Sequence, residues 1–197
     1  WQTPRTRSAA MIDREQRQRG FSLAEVLVAV ALLAVILLAL FGLVTAGVRR
    51  AYSGKKMTEA TIIAQHVLQR MNTYAPQGLF ATPAMPGATC TTSNCTVTWS
   101  RTGSTTTPGV EGGTETNEIE RNAIRNLLAT ADLPVSTGRP ATLTISVTGV
   151  TPSGTANFDV ATMERVVVTL GWWEWGTRQK QVRLQALNLR ALPTTTN

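Results

Sequence analysis

Three residues, His66, Cys90 and Cys95, hold all the imidazole and thiol groups among the 197 residues. A structural Cys/His zinc site needs four such ligands, one more than this chain holds. A nucleophile activated by imidazole would have to use His66, which sits beside Gln65 in a helical pattern and reads as a surface or packing residue. Glu111, Glu115, Glu118 and Glu120 gather near Gly112 and Gly113 and would offer oxygens to calcium. They lack EF-hand spacing, and two of them fit the first turn of a helix. Ser53-Gly54-Lys55 lacks the earlier glycine of a phosphate-binding loop. These patterns predict no catalytic residue, no metal and no cofactor, so the protein is read as non-enzymatic.

The residue that stands out is Glu25. From Phe21 to Val48 the chain reads FSLAEVLVAVALLAVILLALFGLVTAGV, and Glu25 is its one ionisable side chain. About 20 apolar residues in a helix cross a hydrocarbon layer ~30 Å thick, so this run is long enough to span a membrane. A cleaved secretory signal has a shorter apolar stretch. A carboxylate within such a run costs ~2.5–3.5 kcal/mol at the bilayer centre and less near the interface. A plain anchor would keep Glu25 among the headgroups, whereas a functional one would give it a partner.

Immediately upstream stand Arg14, Arg17, Arg19 and Gly20, followed by Phe21-Ser22-Leu23-Ala24-Glu25. This arrangement resembles the cleavage and methylation segment of the type IV pilin and pseudopilin superfamily. That family shows a basic leader, a Gly, an aromatic residue and a Glu at the fifth mature position. The resemblance covers only the N-terminal part of the chain. It implies processing between Gly20 and Phe21 by a prepilin peptidase, N-methylation of Phe21, and pairing of Glu25 with the new amine of a neighbouring subunit. A helix-kinking Pro of many major pilins is replaced here by Gly42. Glycine lowers helix propensity by ~1 kcal/mol relative to Ala, or serves close packing. Trp1 is no initiator; Met11 would give a ten-residue leader, with residues 1–10 upstream of it.

The elements that must position this segment follow from periodicity. Ala60, Ile63, Ala64, Val67, Leu68, Met71 and Tyr74 keep helical spacing, so one helix is expected from Phe21 to about Ala75, ended by Pro76 and Gly78. Residues 89–116 are rich in Thr and read mostly as loop, with a short strand at Val97 and Trp99. Asn117 and Glu120 resemble a capping box opening a helix that Pro134 stops. Leu143, Ile145 and Val147 alternate with Thr and Ser as a strand. Arg165–Trp173 and Lys180–Arg190 read as two more, joined in a hairpin near Trp175, with a bulge expected near Ala186 where the apolar parity changes.

The expected fold class is α+β and pilin-like, a long N-terminal helix packed on a three- or four-stranded antiparallel sheet. The expected organisation is a leader at 1–20, a membrane and filament-core helix at 21–48, an amphipathic continuation at 49–75 and an exported domain at 76–197. Arg14, Arg17 and Arg19 on one side of the apolar run face Arg49, Arg50, Lys55 and Lys56 on the other, so charge alone does not orient it. Cys90 and Cys95 enclose a short polar loop that suits a local disulfide in an oxidising compartment, with free thiols as the alternative.

Trp175, Arg178 and Lys180 would suit stacking on single-stranded DNA, against a packing role for the tryptophans. From Phe21 onward 14 basic and 10 acidic residues leave +4, too little to signal nucleic acid by itself. The segment Thr58 to Met71 also resembles that of the pilus-modification minor pilins and the I-type pseudopilins, which implies a structural subunit, a minor pilin, inserted in the inner membrane as a single-pass precursor. Its domain would lie in the periplasm or outside, in a filament of other pilin subunits. The alternatives are a type II secretion pseudopilin, close to the I type and engaging a secreted protein, and a DNA-binding subunit of a natural-transformation system.

Overall fold

The computed structural model describes residues 21–74, 76–81, 84–112, 115–136, 138–174 and 177–189. The chain divides into two units between Val48 and Arg49. Helix α1 (Leu23–Thr73) contributes to both. Its first part is apolar on every side, and its side chains are exposed, among them Leu27, Leu33 and Phe41. A helix without a polar face has no favourable place in water and suits hydrocarbon. Among the described residues α1 is the one helix long and apolar enough to cross a membrane. It runs through Gly42 without a break, and a Cβ placed there would meet nothing within 4 Å.

The second unit carries the remaining elements. The end of α1 is followed by α2 (Pro76–Ala81), β1 (Thr89–Cys90), β2 (Asn94–Thr102), β3 (Thr105–Thr107) and α3 (Thr116–Thr130). Then come β4 (Ala141–Thr151), β5 (Gly154–Thr155), β6 (Met163–Glu174) and β7 (Arg178–Leu189). All pairings are antiparallel, in the order β1-β2-β4-β6-β7, with β3 on β2 and β5 on β4. The fold is α+β, a long helix over an antiparallel sheet. Four long strands carry it, and three short ones bring the sheet to seven strands. Strands of two or three residues hold too little alternation to be seen in a sequence.

One face of the sheet makes the core. Strict alternation in β4 buries Leu143, Ile145 and Val147 and turns the intervening hydroxyl residues outward. Val97 and Trp99 of β2 and Val166, Val168 and Leu170 of β6 continue the inner face. Ala60, Ala64, Val67 and Met71 of α1 and Ile124 and Leu128 of α3 close the core with no exposed surface. Each such large apolar side chain contributes about 1.5–3 kcal/mol relative to exposure. Ala60 and Ala64, one turn apart, leave little side chain between the helix backbone and its neighbours.

Four local expectations are corrected. Pro76 does not merely end α1; it opens α2, because proline fits the first turn of a helix, where its missing N–H is no loss. The N-cap of α3 is Glu115, in a capping box with Glu118, whereas Asn117 donates to the Gly78 carbonyl at 3.3 Å. The stretch read as loop with a short strand holds the nine-residue β2, whose Thr and Ser residues form its outer face. No bulge occurs near Ala186. The register runs unbroken from Met163↔Leu189 to Glu174↔Arg178, and Leu187 and Leu189 break the apolar parity because they are exposed on the outer face.

Candidate functional site

The candidate assembly segment begins at Phe21, which precedes α1 and is 78% exposed; Gly20, its expected cleavage partner, lies outside the described residues. Ser22 starts the helix as a cap, since its Oγ accepts from the Glu25 N–H at 3.2 Å. That leaves Glu25 in the first turn, where a carboxylate meets the positive end of the helix dipole. Ser22 was not singled out from the sequence, although Ser-x-x-Glu before an apolar run is itself a capping signal. The segment thus holds one carboxylate close to the residue whose amine cleavage would create. Among the described residues, the next charged side chain along α1 is Arg49.

The second unit accounts for most of the other residues that could do chemistry. Cys90 and Cys95 form a disulfide, and they are direct partners in the β1–β2 ladder. His66 is exposed on α1. Glu111 binds Arg121, whose Nε lies 2.8 Å from Oε1 and whose second amino group also reaches the carboxylate. Glu120 accepts from Arg70 at 2.5 Å and from the Tyr74 hydroxyl at 3.0 Å. That hydrogen bond, with burial and the Glu120 charge, raises the Tyr74 pKa. With Glu115 and Glu118 capping α3, these four glutamates have structural partners.

Two more buried cations organise the end of α3. Arg101 donates to the carbonyls of Ala129, Ala131 and Leu133 at 3.2, 2.5 and 2.6 Å, so a guanidinium closes the helix C-terminus, where carbonyls lack partners. Burial lowers its pKa, against the charges of Asp132 and Glu59. Lys56, 1% exposed, donates to the Asp132 carboxylate and carbonyl, and Glu59 accepts the Asp132 N–H at 2.5 Å. Desolvation pulls the Lys56 pKa down, but the Asp132 hydrogen bond and the surrounding charges outweigh it and leave it raised. The Lys56 hydrogen bond and charge lower the pKa of Asp132.

The hairpin expected to stack on bases is only partly described. Trp175 lies outside the described residues. Arg178 is exposed and opposite Glu174 in the ladder, whereas Lys180 is 3.7 Å from the Glu174 carboxylate. Trp172 is buried in the core at 2% exposure, and Trp173 is on the opposite face under Arg139, 5.4 Å from its guanidinium. The rings of Trp172 and Trp173 therefore do not share one surface.

One comparison with known proteins bears on the N-terminal segment. The family model described as the prokaryotic N-terminal methylation motif matches residues 16–47, a type IV prepilin-like signal. The match spans Arg17, Arg19, Gly20, Phe21, Glu25 and most of the apolar run. It supports reading the chain as a type IV pilin-like precursor, and the family that carries this motif is structural rather than enzymatic. The motif implies processing by prepilin peptidase and assembly with other pilins, and the single apolar helix fits an inner-membrane-anchored precursor. No curated protein and no solved structure matches the chain.

Proposed function

We propose that this protein is a minor pilin, a structural subunit of a type IV pilus-like filament. It is inserted in the inner membrane, cut between Gly20 and Phe21, methylated at Phe21 and assembled through residues 21–48. Residues 49–75 continue that helix, and residues 76–197 form the exported domain. One observation carries the reading: the methylation motif ends in an apolar helix whose first turn holds Glu25 and no cation. Among the described residues, the carboxylate has no cation on its own helix end. After cleavage the Phe21 amine of a neighbour supplies one in a low-dielectric bundle, where such a pair is strong. The disulfide supports export to an oxidising compartment. A secretion pseudopilin would use the same subunit physics, and gene neighbours separate the two readings.

The test combines processing with assembly. Mass spectrometry of the membrane or filament form is expected to find an N-terminus at Phe21 with one added methyl. Glu25→Gln and Glu25→Ala are expected to be inserted and cleaved normally, yet to be depleted about ten-fold or more from sheared filaments, as loss of a charge pair predicts. An unprocessed protein, or wild-type levels of Glu25→Ala in filaments, would overturn the reading.

A further inference from the structure

The outer face of the sheet has a composition that filament assembly through α1 does not call for. Alternation in β4 places Thr142, Thr144, Ser146 and Thr148 outward. Their ladder neighbours continue the theme: Thr98, Thr144 and Thr169 form one row across β2, β4 and β6. The hydroxyls are held to one another, Thr98 Oγ1 to Thr144 Oγ1 at 3.0 Å and Thr96 Oγ1 to Ser146 Oγ at 3.3 Å. The result is a pre-arranged surface of groups that both donate and accept hydrogen bonds.

Three arginines share this face. Arg165 and Arg183 are exposed, and neither forms an ion pair among the described residues. Arg139 joins them by lying over the outward ring of Trp173. The strand acids do not face this way: Glu164 and Glu174 have the other parity in β6 and are buried. Arg183 is paired with Thr169, four residues along β6 from Arg165, and Trp173 is four residues further. At ~3.3 Å per residue the positive charges therefore recur about every 13 Å along the strands.

We propose that this face binds an acidic polysaccharide, a polyuronate chain running along β6 between the hydroxyl row of β4 and Arg183 of β7. Its carboxylates would meet Arg165, Arg183 and Arg139, and its hydroxyls the Thr and Ser rows. The hydroxyl rows between the cations select the occupant. A polyuronate carries a carboxylate and free hydroxyls on every sugar, so where its carboxylates miss an arginine its hydroxyls still meet the Thr and Ser groups. DNA has no free hydroxyls along its backbone and presents a charge about every 3.4 Å along each strand, which three arginines at this spacing leave largely unmatched.

The experiment uses the full chain in non-ionic detergent at low salt, with alginate, neutral dextran and oligo(dT) as probes. Alginate is expected to bind, dextran and oligo(dT) at least about ten-fold more weakly. Arg165→Gln/Arg183→Gln is expected to lose about ten-fold or more of the alginate affinity, as the loss of charge-assisted hydrogen bonds implies. The same charge removed elsewhere, by Arg50→Gln/Lys55→Gln, is expected to change it less than about two-fold. Thr144→Val, close to isosteric, is expected to weaken alginate binding by about two- to five-fold with the fold intact. Unchanged tryptophan fluorescence in each variant certifies folding. Alginate binding unaffected by the Arg165/Arg183 pair, equally reduced by the Arg50/Lys55 pair, or surpassed by oligo(dT), would overturn the proposal.

Discussion

The Arg121–Glu111 pair tests how the second unit is held together. Arg121 is 1% exposed and Glu111 13% by side chain, so this ion pair is largely out of water. Besides the carboxylate, Arg121 donates to the Leu79 carbonyl at 2.8 Å, tying α3 to α2 and to the segment before α3. Glu111→Gln keeps the shape and removes this counter-charge from a buried guanidinium. Breaking a buried pair from one side destabilises by about 3–5 kcal/mol, against total stabilities of about 5–15 kcal/mol. At roughly 2–4 °C per kcal/mol for a domain of this size, Tm is expected to fall by about 6–20 °C. Arg121→Met is expected to lose a similar amount, and the double variant to lose less than the two singles together, with a coupling of about 2 kcal/mol or more. Thermal unfolding followed by tryptophan emission suits the assay, because Trp99 and Trp172 are buried in the sheet core and report on it rather than on the apolar part of α1. A Glu111→Gln protein within about 0.5 kcal/mol of wild type, or strictly additive singles, would refute the reasoning.

The Lys56–Asp132 bridge should give stability a pH dependence at both extremes. Asp132 has a lowered pKa, so its contribution is complete above the usual carboxylate value near 3.9 and is lost as pH falls through the folded value; Lys56 has a raised pKa, so its share is complete below about 10.4 and is lost as pH rises through the folded value. Denaturation midpoints of Asp132→Asn are expected to vary less with pH at both ends, and an unchanged profile would remove the bridge from the account. The Cys90–Cys95 disulfide closes a small loop, so Cys90→Ser/Cys95→Ser is expected to lose about 2 kcal/mol or less, read by urea denaturation with and without reductant. A loss near the upper end of the ~0–5 kcal/mol range would show that the bridge does more than close a loop.

The parts of this protein encoded by neighbouring residues were legible beforehand. The Gly20–Glu25 segment is contiguous, and the β4 alternation needs only its own eleven residues, so both stood out. The parts that were not legible depend on partners far along the chain. Nothing local says that Lys56 will meet Asp132, or that Arg101 will close the end of α3. A buried cation looks like any surface Lys or Arg until its acceptors are placed. The start of α3 was misread because Glu is an uncommon N-cap beside Asn, and the parity of β7 because exposed Leu187 and Leu189 imitate a core pattern.

The order of strands also sets a timetable. β2 has its long partner in β4, on the far side of α3, and the buried faces of β4 and β6 complete the core only together. During synthesis the apolar part of α1 emerges before the sheet strands, while β7, the last strand among the described residues, gains its place only once residue 189 is made. β1, β2 and β3 can form small local ribbons in the interval, but they have nothing to bury their inner side chains against. The helix is thus ready to leave water long before the sheet can exist. The sheet is complete only when residue 189 has arrived, about 140 residues after the apolar run ends at Val48.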